Sequence, residues 1–519
     1  MSAFSRLPEE LLDAITIHLT QADVSSLGRT CKALWHSMDP RLFRVISMKW
    51  DANKPETSAP RITSLLRILV NRPSKAAKIE HVELQACNYE PYEDREDDPE
   101  GRPANPNAYK ILASDRPAFE QDLMQMGLRD VSTWMSAIFV ANDLRALMAV
   151  LLMRCTRLKS LNMASELFLT ASSDLATWLP SMLDHCLSAS ASSDRDALSR
   201  FAHLTSVVIT GPKTDAGRKL PTDLVKCLFR IPSLVTLDVA CCTDFSTGIG
   251  QEVNPDLVAG CVVLDRLTVL RLPCSDAFPM TLKSLLQFTP NLRTLMYHVL
   301  MHAGAFPNDN LADALATAPK SLEDLTVRVH MYQREAADLS SLVYPIWPGG
   351  LGSLQHLRSL RSLTISLTLL FGAYPDDESV PQLADVLPQS LESLNLVGDL
   401  TAFDSITMSP YGHAPEAILR AFLTGEERVG QSWTHVCWQD ECDRESDCGP
   451  IWACRGPPPW KSKLPKLSRL TVVENKSGYY EGDGGVIERD TFGALSEMVS
   501  GQGLELVYRE VEGYQDLFC

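Results

Sequence analysis

Four cysteines in the C-terminal fifth of the chain are its residues best suited to metal chemistry. Cys437, Cys442, Cys448 and Cys454 are separated by four, five and five residues, with His435 close by. Four thiolates, or three with an imidazole, bind zinc tetrahedrally. These spacings lack the Cys-x-x-Cys knuckles of most structural zinc sites. Zinc, a disulfide and free thiols packed among nearby tryptophans all stay open. Free thiols are favoured, and we predict no cofactor.

Other catalytic patterns are incomplete. His298 and His302 have the spacing of a zinc-binding helix, but Val299 stands where the catalytic glutamate belongs. Tyr297 also fits the end of a strand, which favours core or surface histidines. The glycines at 482–485 are not followed by the Lys-Ser/Thr of a phosphate loop. With no nucleophile elbow or paired carboxylates, we predict a protein that is not an enzyme.

Composition and charge exclude several classes of partner. The 519 residues carry a formal net charge of -17, which disfavours binding to nucleic acid or to an anionic membrane surface. We expect no signal peptide and no membrane span. Cysteines such as Cys155, Cys227 and Cys261 lie in apolar segments, which predicts reduced, buried thiols. The expected location is cytoplasmic, nuclear or both.

The first fifty residues predict three short helices. Pro8 suits the start of the first, Asp23 is a candidate cap for the second, and Pro40 is expected to end the third. About a dozen apolar residues fall in roughly forty positions, more than three short helices can bury among themselves. Such a surplus predicts docking on another surface.

The residues of this segment with motif-like spacing are Leu7, Pro8, Leu11, Leu12, Ile15, Leu19, Val24, Leu27, Cys31, Leu34, Trp35, Leu42 and Phe43. Their order and spacing resemble the F-box motif. The resemblance implies that a surface drawn from these residues docks on the Skp adaptor, and through it on a cullin scaffold. Gly28 departs from the motif, where the family usually has a bulkier or charged residue, and we expect it to loosen the second helix. The alternative is a plain helical cap on the following domain.

A Leu-x-x-Leu-x-apolar pattern recurs through the rest of the chain. Its ten occurrences are Ile79/Val82/Leu84, Leu158/Leu161/Met163, Leu204/Val207/Ile209, Leu234/Leu237/Val239, Leu267/Leu270/Leu272, Leu292/Leu295/Tyr297, Leu322/Leu325/Val327, Leu360/Leu363/Ile365, Leu391/Leu394/Leu396 and Leu467/Leu470/Val472, with a weaker echo at Leu504/Leu506. From Leu204 to Leu391 successive starts are 30, 33, 25, 30, 38 and 31 residues apart. A period in this range predicts stacked strand-and-helix units with a parallel sheet.

These units resemble leucine-rich repeats. The family's turn-forming Asn or Cys is present as Cys87, Cys242 and Asn475, but several repeats lack it, so the match is to an irregular version. The helix-then-strand unit at 64–84 is similar to that of fungal F-box proteins. The predicted fold class is α/β, with an F-box at 1–50 followed by a leucine-rich-repeat horseshoe at 51–519.

Two insertions interrupt the predicted array. Residues 88–108 are acidic, proline-rich and poor in aliphatic residues, which predicts a mobile loop. Residues 425–463 hold the four cysteines together with Trp433, Trp438, Trp452 and Trp460.

Together these resemblances predict a non-catalytic, substrate-recognition subunit of a Skp–cullin–F-box ubiquitin ligase. The repeats would bind a target protein, whose identity the sequence does not indicate. The alternative is a scaffold that carries an F-box but acts outside the ligase, without ubiquitin transfer.

Overall fold

The structure is a computed structural model. It describes residues 7–16, 18–51, 55–87, 113–128, 130–140, 143–165, 178, 181–183, 201–211, 220, 222–240, 263–275, 279–301, 311–331, 350–371, 382–397, 414–428, 452–454, 458–475 and 489–511. The acidic segment 88–108 and most of the cysteine-rich segment lie outside these ranges, as does Cys261.

The described residues form a mixed α/β structure, as predicted. The helices are α1 (Glu9–Thr16), α2 (Gln21–Thr30), α3 (Lys32–Leu42), α4 (Pro55–Asn71), α5 (Pro73–Ala76), α6 (Arg116–Gln125), α7 (Val131–Phe139), α8 (Leu144–Arg154), α9 (Thr222–Leu228), α10 (Pro279–Gln287), α11 (Leu311–Ala316), α12 (Leu367–Phe371), α13 (Leu383–Val386), α14 (Ala414–Thr424), α15 (Pro459–Lys463) and α16 (Arg489–Val499). The strands are β1 (Val45–Asp51), β2 (His81–Cys87), β3 (Ser160–Ala164), β4 (Ser206–Thr210), β5 (Thr236–Val239), β6 (Val269–Ser275), β7 (Thr294–Met301), β8 (Asp324–Met331), β9 (Ser362–Ile365), β10 (Ser393–Val397), β11 (Glu426–Arg428), β12 (Trp452–Cys454), β13 (Arg469–Asn475) and β14 (Glu505–Val511).

Twelve of these strands are paired in parallel, and the chain divides into two compact units. The first unit comprises residues 1–243 and 259–267, and its strands pair in the order β1-β2-β3-β4-β5. The second comprises residues 244–258 and 268–519, and its strands pair in the order β6-β7-β8-β9-β10-β13-β14. In both units neighbouring strands follow chain order. The predicted parallel sheet is therefore confirmed.

The recurring leucines explain this order. Within each unit, the middle residue of a repeat pairs with its counterpart in the next: Leu295 lies beside Leu325, and Leu325 beside Leu363. In all ten predicted repeats the three apolar side chains are buried, whereas Leu506 of the weaker echo is only half-buried. Side chains alternate between the two faces of a strand, so the position between two buried leucines faces outward, as Thr364 does.

Two parts of the first unit were not predicted. Strand β1 follows α3 after two residues, pairs with β2 and buries Ile46, so the predicted boundary at residue 50 falls at the end of a strand. Three helices, α6 to α8, occupy the long interval between β2 and β3.

The segment 425–463 is described only near its ends. Strands β11 and β12 pair antiparallel, so the chain leaves the array at Arg428 and returns beside it at Trp452. Trp460 on α15 is buried and donates its indole N–H to the carbonyl of Leu423, 3.3 Å away. The residues around Trp460 thus belong to the packed unit that precedes β13. Among the helices of the described ranges, none has the length and hydrophobicity to span a bilayer.

We predict that Leu325→Ala destabilises the second unit by about 2–5 kcal/mol, because its fully buried side chain is stacked between two repeats. The matched control is Thr326→Ala on the outward face of the same strand, which should change stability by less than about 0.5 kcal/mol. Urea denaturation of the full chain measures both. Equal losses of unfolding free energy in the two variants would contradict the assignment of Leu325 to the buried face and Thr326 to the outward face.

Candidate functional site

The three N-terminal helices pack around a small core of their own. Leu12 of α1, Val24 of α2 and Leu34 and Met38 of α3 are buried together. Leu7, Leu19, Leu27 and Leu42 are partly buried and pack against this cluster. Met38 was absent from the predicted set, although its position four residues after Leu34 places both side chains on one face of α3.

The structure separates the predicted docking residues into a core set, an exposed set and a half-buried set, which the sequence did not. Leu12, Val24 and Leu34 are core residues. Leu11 and Trp35 are 51% and 42% exposed. Pro8 and Cys31 are also exposed, and the remaining predicted residues are half-buried: Leu7, Ile15, Leu19, Leu27, Leu42 and Phe43. We call Pro8, Leu11, Cys31 and Trp35 the exposed set; they are the motif residues most accessible to a partner.

Two predicted helix boundaries were wrong. Thr20, rather than Asp23, is the N-cap of α2. Its hydroxyl accepts the Asp23 N–H, and the Asp23 carboxylate accepts the Thr20 N–H at 3.1 Å, so both residues satisfy free backbone donors. The Thr20 hydrogen bonds hold the pKa of Asp23 below its usual value. Pro40 does not end α3, which continues to Leu42.

Gly28 has a packing role instead of loosening α2. It is buried, and a Cβ built on it would lie 3.3 Å from Met38 Cβ and 3.4 Å from Trp35 Cε3. The missing side chain thus allows α2 to approach α3 closely and the Trp35 ring to lie against α2. Glycine is the residue that permits this contact.

Polar contacts fix the three helices to one another. Arg41 of α3 donates to the carboxylate of Asp13 at 2.7 Å and to the Glu9 carbonyl at 3.1 Å, both on α1. Gln21 of α2 donates its amide to the carbonyls of Leu42 and Val45, each at 3.0 Å. Since Val45 begins β1, the second contact also joins the helices to the sheet.

A charged cluster joins the three-helix unit to the first repeat. Asp39 of α3 accepts from Lys75 of α5, and Lys78 lies 3.5 Å from the same carboxylate. Lys75 also stands over the Phe43 ring, 4.9 Å from its centre. Burial raises the pKa of Asp39, but the hydrogen bond and charge of Lys75, with Lys78, outweigh burial and leave that pKa below its usual value.

The cysteine predictions have separate outcomes. Cys155 and Cys227 are buried thiols that are not in a disulfide, as predicted, and burial raises the pKa of Cys155 to about 12. Cys437, Cys442 and Cys448 lie outside the described residues, and of Cys454 only the backbone in β12 is described. No three His, Cys, Asp or Glu side chains of the described residues are grouped to hold a metal. His298 is buried on β7.

No protein-family model matches this chain, and no curated protein matches it.

We predict that Gly28→Leu destabilises the three-helix unit by about 1–3 kcal/mol, because the added atoms meet Met38 and Trp35. Ser26→Leu, at an exposed position of the same helix, is the control and should change stability by less than about 0.5 kcal/mol. Thermal unfolding followed by circular dichroism compares them. Equal stability of both variants would exclude the close helix contact.

We predict that Asp39→Asn destabilises the protein by about 1–2 kcal/mol near pH 7, because Lys75 and Lys78 lose their charged acceptor. The lowered pKa in the folded state means that this stabilisation is complete above the ordinary value of 3.8 and is lost as the pH falls below it. Urea denaturation between pH 7 and pH 3 should show the two proteins converging in acid. Glu10→Gln, at an exposed carboxylate, should show no such convergence.

Proposed function

We propose that this protein is an F-box subunit of a Skp–cullin–F-box ubiquitin ligase. Its three-helix unit docks on the Skp adaptor, and its repeat array holds a target protein near the ubiquitin-charged conjugating enzyme. Such a subunit has no catalytic residues of its own. It accelerates transfer by raising the effective concentration of target lysines at the thioester.

The observation that carries this proposal is the exposure of Leu11 and Trp35 above a core that is complete without them. A leucine and a tryptophan at motif positions, on two different helices, are costly to leave in water. Burial against a partner would contribute about 1.5–3 kcal/mol for each before association costs are subtracted. The plain helical cap, which is the alternative reading, does not require these side chains to be exposed.

The repeat array supports the target-binding half of the proposal. Its outward strand positions carry mainly small, polar side chains, such as Asn162, Thr326 and Asn395. Repeats of this kind create extended surfaces that bind whole proteins. The leucine-rich-repeat assignment is part of this proposal, since strand order and buried leucines agree with it.

We predict that Leu11→Asp and Trp35→Glu each weaken adaptor binding by about a hundredfold or more, since a charge would be buried at the interface. Both residues lie outside the buried core cluster, so that core should be retained. Binding of purified full-length protein to a purified Skp adaptor, by calorimetry, measures this loss. The control is Ser26→Asp, an exposed position of α2 outside the motif.

If both charged variants still bind the adaptor tightly, the docking proposal is wrong. If docking holds, the second half is tested in cells by ubiquitylation of co-purified proteins under proteasome inhibition. Ubiquitylation that disappears with Leu11→Asp supports the ligase subunit. Adaptor binding without any such ubiquitylation would favour the alternative, a scaffold acting outside the ligase.

A further inference from the structure

A cavity of about 280 Å³ lies in the first unit, away from the motif residues of α1 to α3. It is formed by α5, the end of α6 and the end of α8 with the residues just after each of these helices. Its lining residues are Pro73, Ala76, Ala77, Gln125, Met126, Met153, Arg154 and Thr156. Ala76, Met126 and Met153 are buried and form an apolar floor. Pro73, Gln125 and Thr156 are exposed. The cavity can therefore admit an apolar group from solvent.

Two of the three segments that contribute this lining are basic, in a chain of net charge -17, whereas α6 carries Glu120 and Asp122 beside one arginine, Arg116. Residues 67–78 contain four basic and no acidic residues, and residues 154–159 contain three basic and none acidic. Five of these seven cations pair with carboxylates elsewhere: Arg67 with Asp115, Lys75 and Lys78 with Asp39, Arg154 with Asp122, and Lys159 with Glu80. Two of the seven cations remain outside these pairs.

The two other cations flank the cavity along the chain. Arg72 immediately precedes Pro73, and Arg157 immediately follows Thr156. Both are exposed, and neither has a carboxylate partner within the described residues. An apolar floor whose exposed lining residues Pro73 and Thr156 are each next in sequence to an exposed arginine differs from the core of a repeat, where leucines are enclosed completely. It is complementary to a ligand that is apolar at its centre and anionic on either side.

We propose that this cavity is a docking site for an acidic peptide segment of a partner protein. One apolar side chain of the peptide enters between Ala77 and Met153, and the flanking carboxylates face Arg72 and Arg157. Burial of that single side chain supplies the anchor, while the charges fix register and accelerate association. The site lies outside the predicted adaptor-docking residues and stands whether or not the adaptor binds.

The test uses the full-length protein and a labelled peptide with one phenylalanine between runs of glutamate, followed by fluorescence anisotropy. We expect Ala77→Trp, which fills the cavity, to weaken binding about tenfold or more. The double variant Arg72→Glu/Arg157→Glu should also weaken binding about tenfold or more, and the affinity that remains should depend less on salt concentration. A peptide with alanine in place of phenylalanine should also bind at least about tenfold more weakly.

The matched control is Arg266→Glu/Arg358→Glu, which makes the same change in net charge at two exposed arginines elsewhere. It should change affinity by less than about threefold. Circular dichroism verifies that Ala77→Trp is folded, and the arginine variants test the site independently at exposed positions. The proposal is overturned if the phenylalanine peptide does not bind. It is also overturned if Ala77→Trp does not weaken binding and the alanine peptide binds as tightly as the phenylalanine peptide, since charge alone would then explain the affinity.

Discussion

A parallel strand has no hairpin partner, so each repeat depends on its neighbours for backbone hydrogen bonds and for burial of its leucines. The N–H of Glu323 reaches the carbonyl of Arg293 at 2.8 Å, and the N–H of Arg361 reaches that of Glu323 at 2.7 Å. The same link recurs between successive repeats of each unit. A slip by one residue would turn the buried leucines toward solvent, so register and burial enforce each other.

This constraint extends to the N-terminal helices through β1. The carbonyl of Arg44 accepts the N–H groups of Glu80 and His81, at 2.9 and 3.1 Å, directly after α3 has ended. The Glu80 side chain in turn lies 3.1 Å from Arg44 and 3.0 Å from Lys159. The three-helix unit is thus joined to the first repeats by backbone pairing as well as by Asp39. Under the proposed function, a bound adaptor would hold these repeats in a fixed orientation.

The sequence predicted the strands of the array because leucine spacing reports burial directly. It did not predict β1, because no leucine lies three residues before Ile46, as Leu322 lies three residues before Leu325 in β8. The sequence could not tell which of two adjacent leucines is buried. Leu11 and Leu12 are equally apolar, and their side chains differ only in direction, by about 100° around the helix axis. The prediction that Gly28 loosens α2 was wrong because helix propensity describes a single helix, whereas the contact of Gly28 with Met38 involves two helices. The horseshoe and the F-box assignment start from a resemblance and stay predictions.

The separation of the core residues from the exposed set also determines whether a binding experiment reports loss of docking or loss of folding. Had Leu11 and Trp35 formed the core, any substitution there would have mixed unfolding with loss of docking. Instead Leu12, Val24, Leu34 and Met38 close the core beneath them. The exposed set can then be altered while this buried cluster stays intact, and Leu11 is the cleaner position because Trp35 also lies against Gly28 of α2. Surface hydrophobicity that the fold does not use is therefore the feature that most favours a partner at this end of the chain.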